Sequence, residues 1–145
     1  MNTELIQYAG KVIEGIFGLT NKTMEESNPQ KFADGVQTLA QGVGESYELM
    51  RKIVLESTEF SDTEKIEKLK DLANSEIQSK KACGEILQGN REHTANVISN
   101  VFEDFLSCGV SFAPALISQL KDSVAGNSSV ETLHNAVLDK VLRRR

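Results

Sequence analysis

From Asn28-Pro29 onward, Phe32, Val36, Leu39, Val43, Met50 and Ile53 recur at a 4-3-4 spacing with Ser46 as the one polar member, and Ala33, Ala40, Tyr47 and Val54 widen the stripe. An unbroken helical period over about 30 residues commits this part of the chain to a rod of roughly 45 Å. Its start is encoded locally. Asn28 can accept a hydrogen bond from the first free N–H groups, and Pro29 is pre-set for the first helical position. Only two prolines occur in 145 residues, which leaves room for further long helices.

The stripe stops at Phe60, and Ser61 with Glu64 spells a capping box, so a third helix is expected to double back on the second. Its apolar face begins with Ile66, Leu69, Leu72, Ala73 and Ile77, weakens through Glu76, Ser79 and Lys80, and resumes at Cys83, Ile86 and Leu87. A continuous helix from 62 to 107 would run about 68 Å, far longer than a usual helix, so a break is expected near 84–90, where Gly89-Asn90 supplies a stop. Thr94, Val97, Ile98, Val101, Phe102, Phe105 and Leu106 then form a new helical face. Cys108-Gly109 to Pro114 reads as a corner, 115–124 as a short apolar helix, and 126–129 as a turn. Ser128 with Glu131 caps a last amphipathic helix carrying Val130, Leu133, Val137, Leu138, Val141 and Leu142.

A first helix is expected over Glu4 to Leu19, followed by an irregular link from Thr20 to Asn28. Leu5, Ile6, Tyr8, Ala9, Val12, Ile13, Ile16, Phe17 and Leu19 cover most of its circumference and leave only Gln7, Lys11, Glu14 and Gly18 as a polar stripe. Such a helix is packed on several sides or used in assembly, with Ile6, Ile13 and Phe17 as the assembly candidates. Gly10, Gly15 and Gly18 here, and Gly35 and Gly42 on the second helix, suggest close backbone approach. No strand-like alternation and no long repeat is present. The expected fold is all-α: a single domain over 1–145, built as a helical bundle on a long antiparallel hairpin, with shorter first and C-terminal helices packed across it.

The net charge of −5 disfavours a nucleic-acid coat. The charge is uneven: residues 1–105 carry 11 Lys+Arg against 18 Asp+Glu, and 106–145 carry 5 against 3. No stretch is long and apolar enough to span a bilayer, and Met1-Asn2-Thr3-Glu4 offers no basic leader, so a cytoplasmic location with Cys83 and Cys108 as thiols is expected.

The chemical motifs are sparse. Glu131 and His134 have the Glu-x-x-His spacing of carboxylate-bridged di-metal bundles, but His93 has Asn90 at the matching position, so no second half exists. The cysteine and histidine spacings fit no zinc pattern, and on one continuous helix Cys83 and His93 would stand about 15 Å apart, too far for proton transfer. Gly109-Val-Ser111-Phe-Ala113 resembles a nucleophile elbow without the sheet that motif needs, and Gly42-Val-Gly44 lacks a phosphate loop's ending. No cofactor, metal or catalytic residue is assigned.

The function expected on these grounds is a non-catalytic helical protein–protein interaction module that self-associates. One alternative is a small acidic inhibitor or immunity-type protein that binds a basic enzyme or toxin. Its contact candidates are Glu45, Glu48, Glu56, Glu59, Glu64 and Glu67, in a segment of net charge −4 around the hairpin turn. A second alternative is an enzyme or small-ligand carrier with a core site formed from Tyr47, His93, His134 and nearby carboxylates.

Overall fold

The protein's computed structural model describes residues 3–90 and 93–110. Four helices follow one another, α1 (Thr3–Glu25), α2 (Pro29–Glu56), α3 (Asp62–Leu87) and α4 (His93–Ser107), and no strand occurs among the described residues. The fold is an all-α bundle. The expected corner beyond Val110 and the C-terminal helices lie outside the described residues.

The local signals work as the sequence implies. Asn28 Oδ1 accepts from the N–H groups of Gln30 and Lys31, both at 3.0 Å. Ser61 Oγ accepts from the Glu64 N–H at 3.2 Å, and Glu64 returns the bond from the Ser61 N–H at 3.1 Å. The bond from the Ser61 backbone N–H, reinforced by the Ser61 hydroxyl, holds the Glu64 carboxyl below its ordinary pKa. The expected break is real. α3 ends at Leu87, the N–H groups of Gln88, Gly89 and Asn90 turn back to the Glu85 and Ile86 carbonyls, and Gly89 takes φ +104°, a left-handed conformation that favours glycine.

Consecutive helices are antiparallel. Thr23 near the end of α1 meets Gly35 near the start of α2, while Ile16 meets Gly42 farther along. Lys65 reaches the Leu55 carbonyl beside the α2–α3 turn, and Arg51, about one turn back along α2, meets Glu76, about three turns along α3. Lys68 donates to the Ser107 carbonyl at 2.8 Å and lies 4.6 Å from the Phe60 ring centre, tying the end of α4 to the hairpin turn. The shared core contains Ala9, Ile13 and Ile16 of α1, the α2 row from Val36 to Val54, Leu72, Cys83 and Ile86 of α3, and Val97 to Phe105 of α4.

Three expectations need correction. The first helix continues to Glu25, so the irregular link shrinks to residues 26–28. The apolar stripe lapses after Leu19, but Thr23 is buried against Gly35 and carries the core row onward with a polar residue. At 23 residues α1 is still shorter than α2 and α3, with 28 and 26, as expected, though longer than the sequence signal implied.

The second correction concerns α3. Its buried residues are Leu72, Ser79, Cys83 and Ile86, whereas Ile66, Ala73 and Ile77 are exposed. One apparent stripe is two rows on different sides of the helix.

The third concerns the glycines. A Cβ at Gly35 would stand 2.6 Å from Thr23 Oγ1, so close approach is required there. At Gly42 it would make an ordinary 3.5 Å contact with Ile16, and at exposed Gly15 it would meet nothing within 4 Å.

Candidate functional site

The outward surface of α3 is the most distinctive feature of the exterior. Successive helical residues advance by about 100°, so Ile66, Ala73, Ile77 and Gly84 fall within roughly 40° of arc at a 7-4-7 spacing. All four are exposed, Ile66 by 56% and Ile77 by 62%; Leu87, exposed by 45%, lies about 60° round the helix from Ile66. Lys70 and Lys81 flank it on one side and Lys80 on the other, all exposed. Asp62, in the first turn, is the one acid in the same roughly 100° of arc. The opposite side of α3 is fixed to α2 and α4, so the row is presented by an anchored helix.

Inside the bundle, a polar seam joins α2, α3 and α4. The Tyr47 hydroxyl donates to Asp104 Oδ2 at 2.7 Å and lies 3.4 Å from Ser79 Oγ, which also accepts from Asn100 Nδ2 at 3.3 Å. Burial, reinforced by the Asp104 carboxylate, pushes the Tyr47 phenol well above its usual pKa and keeps it a neutral donor. One turn along, Glu76 accepts from Arg51 at 2.8 Å and pairs with Lys80 at 3.0 Å. Partial desolvation opposes the charge on Glu76, but the two cations outweigh it and lower its pKa.

A shallow groove of about 240 Å³ runs between α3 and α4, bordered by Ser79, Glu85, His93, Asn96 and Asn100. Near one end, His93 Nε2 lies 2.7 Å from Glu85 Oε2. Of the residues expected to build a core site, Tyr47 is sealed in the polar seam and His93 stands at this groove, about two helical turns from Asn100. The structure does not bring them together, and His134 lies outside the described residues.

Cys83 and Cys108 are buried free thiols, and burial pushes both up to about 11, which opposes a nucleophilic role. The helix break removes the straight-rod spacing between Cys83 and His93, and His93 turns to Glu85 instead. Among the described residues, no three His, Cys, Asp or Glu side chains gather to hold a metal ion. The Glu131–His134 pair and all but the first two residues of the Gly109–Ala113 motif lie outside the described residues.

The six glutamates of the acidic segment are all exposed. Glu56, Glu59 and Glu64 belong to the hairpin end, with Glu64 engaged in the capping box, while Glu67 is one turn into α3. Glu45 lies eleven residues before Glu56, about 16 Å along α2, in a groove beside Val12 and Ile16 of α1. They are spread along the bundle, not gathered into one patch. Of the assembly candidates, Ile13 is fully buried within its own bundle and is unavailable to a second chain; the side chains of Ile6 and Phe17 lie outside the described residues.

The α3 surface was hidden in the sequence because Ile66, Ala73 and Ile77 read as core. The signal that could have found it is the 7-4-7 row itself, offset from the row of Leu72, Ser79 and Cys83.

The fold defines the protein as an all-α helical bundle. No family model, curated protein or solved structure matches it, and no described helix is long and apolar enough to cross a membrane.

Proposed function

We propose that the protein is a non-catalytic helical interaction module and that the outer face of α3 is its docking surface. The observation that carries this reading is the exposed row of Ile66, Ala73 and Ile77 on a helix already anchored from behind. Isolated exposed apolar residues are ordinary, but here Ile66 and Ile77 stand within about 20° of one line, about 16 Å apart, with exposed Ala73 between them. Fully burying an aliphatic side chain of this size contributes about 1.5–3 kcal/mol. Burying the two aligned isoleucines can stabilise association without any rearrangement of the bundle.

A photo-crosslinking side chain at Ala73 of the full-length protein, in cells that make it naturally, tests the reading. A discrete protein adduct is expected from position 73 and none from a control at exposed Gln37 of α2. Equal labelling at both positions, or none at 73, would overturn it.

A further inference from the structure

We infer that a recess between the end of α1 and the start of α2 binds a small zwitterion, a molecule of the amino-acid class that carries both a carboxylate and an ammonium group. This site is independent of the α3 face. The recess holds about 350 Å³, toward the lower end of the roughly 300–1,000 Å³ of small-molecule sites, and Thr23 and Gly35 both line it. Thr23 is only 6% exposed, and its Oγ1 is the one buried side-chain polar atom among the described residues that has no hydrogen-bond partner. Buried hydroxyls in folded proteins are nearly always paired, and the unpaired one here belongs to the wall of a recess. The other hydroxyl lining it, on Thr38, already donates to the Asp34 carbonyl at 2.9 Å.

The charges around the recess select the class of ligand. Lys22 and Glu26 line it from α1, and Lys31 and Asp34 from α2, two of each sign. Thr23 is level with Gly35 and Ile16 with Gly42, and the same antiparallel register sets Glu26 level with Lys31 to within one residue and Lys22 with Asp34 to within two. Each lysine therefore has a carboxylate across the recess at nearly its own height. Neither Lys22 nor Lys31 takes part in an ion pair among the described residues. The carboxylates are held from outside the recess: Glu26 Oε1 accepts from the Asn28 N–H at 3.1 Å and Asp34 Oδ1 from Gln30 Nε2 at 3.0 Å. A simple anion would satisfy the lysines but stand beside two carboxylates, and a simple cation would do the reverse. A zwitterion meets both signs, its carboxylate reaching the lysines and accepting from the Thr23 hydroxyl while its ammonium donates to Glu26 or Asp34. Half-buried Leu19 gives the ligand's carbon chain an apolar contact.

The test follows the amide NMR signals of isotopically labelled full-length protein, titrated separately with each common L-amino acid and with inorganic phosphate. At least one amino acid should shift the Thr23 and Gly35 signals in a saturable way and leave those around Ile77 unmoved. Its carboxamide, which lacks the carboxylate, and its N-acetyl derivative, which lacks the ammonium, should both bind more weakly. Lys22→Gln with Lys31→Gln should weaken binding about 2- to 30-fold. Both side chains are exposed, so circular dichroism of that variant should stay unchanged. Thr23→Val, which keeps the shape but removes the hydroxyl, should weaken binding about 2- to 12-fold, and Thr23→Ser, which keeps the hydroxyl, should hold it within about twofold.

Saturable shifts from none of the amino acids, or shifts confined to signals away from Thr23 and Gly35, would overturn the site. Equal binding by the carboxamide, the N-acetyl derivative or phosphate would overturn the zwitterion as its ligand. Indifference to the lysine changes, or Thr23→Val binding as tightly as Thr23→Ser, would remove those groups from the site and overturn the inference with them. None of these outcomes bears on the crosslinking test at Ala73, so the two readings fail separately.

Discussion

α2 is held to its neighbours by two unlike seams. Toward α1 the contact depends on shape: Gly35 makes room for Thr23, Ile16 lies over Gly42, and Thr23 Oγ1 is buried without a hydrogen-bond partner. Toward α3 and α4 it depends on directed bonds, from Tyr47 to Asp104 and Ser79 and from Arg51 to Glu76. A shape-based seam tolerates small slides along the helix and punishes added volume. A hydrogen-bonded seam fixes register and punishes the loss of one partner. The same helix therefore answers differently to substitutions on its two sides.

The largest expected contrast comes from Tyr47→Phe, which keeps the ring but removes the donor to the Asp104 carboxylate. Chemical denaturation should show a loss of about 1.5–3 kcal/mol, as for hydrogen bonds to charged groups. A loss under 0.5 kcal/mol would show that the polar seam contributes little. Gly35→Ala comes next. The 2.6 Å clash with a short, branched side chain should cost about 1–3 kcal/mol, offset by up to ~1 kcal/mol of helix propensity. Thr23→Ala should restore most of the net loss in the double variant, and simple additivity would remove the crowding argument. At Gly42 the sign should reverse. Alanine there makes only an ordinary contact and should stabilise by up to ~1 kcal/mol, seen as a higher melting temperature.

The smallest effect concerns pH. Because the folded-state pKa of Glu76 is depressed, its contribution is present above the unfolded value of about 4.5 and is lost as pH falls through the lower folded value. Glu76→Gln should therefore lose less stability than the parent between pH 5 and pH 3. Parallel stability curves across that window would show that the Arg51–Glu76–Lys80 cluster is energetically silent.

What the sequence made legible was chiefly local. Asn28-Pro29, the Ser61–Glu64 box and the stop at Gly89 depend on neighbouring residues alone, and each works as read. The α2 stripe was equally plain because its core-facing side is nearly all apolar. Thr23 was missed because a buried polar residue beside a glycine on another helix gives no periodic signal. The Tyr47–Ser79–Asn100–Asp104 seam joins residues up to 57 positions apart and requires the folded chain. On α3 the difficulty was an excess of signal: two apolar rows fit one loose period, and only packing decides which is buried. That ambiguity concealed the candidate docking face.

The unequal burial of α2 and α3 also sets an order in which the molecule opens. α2 buries nine residues along 28, including Ser46 and Tyr47, and packs against α1, α3 and α4, whereas α3 buries four along 26. Amide protons from Val36 to Val54 should thus be the last to exchange with deuterium, released only when the whole bundle unfolds. Those in the outer turn around Ile66 to Lys70 should exchange through smaller, more frequent openings. The helix proposed as the docking face should thus also be the one whose backbone breathes more readily, so an occupant's arrival would register as slowed exchange on α3 while α2 kept its own slow clock.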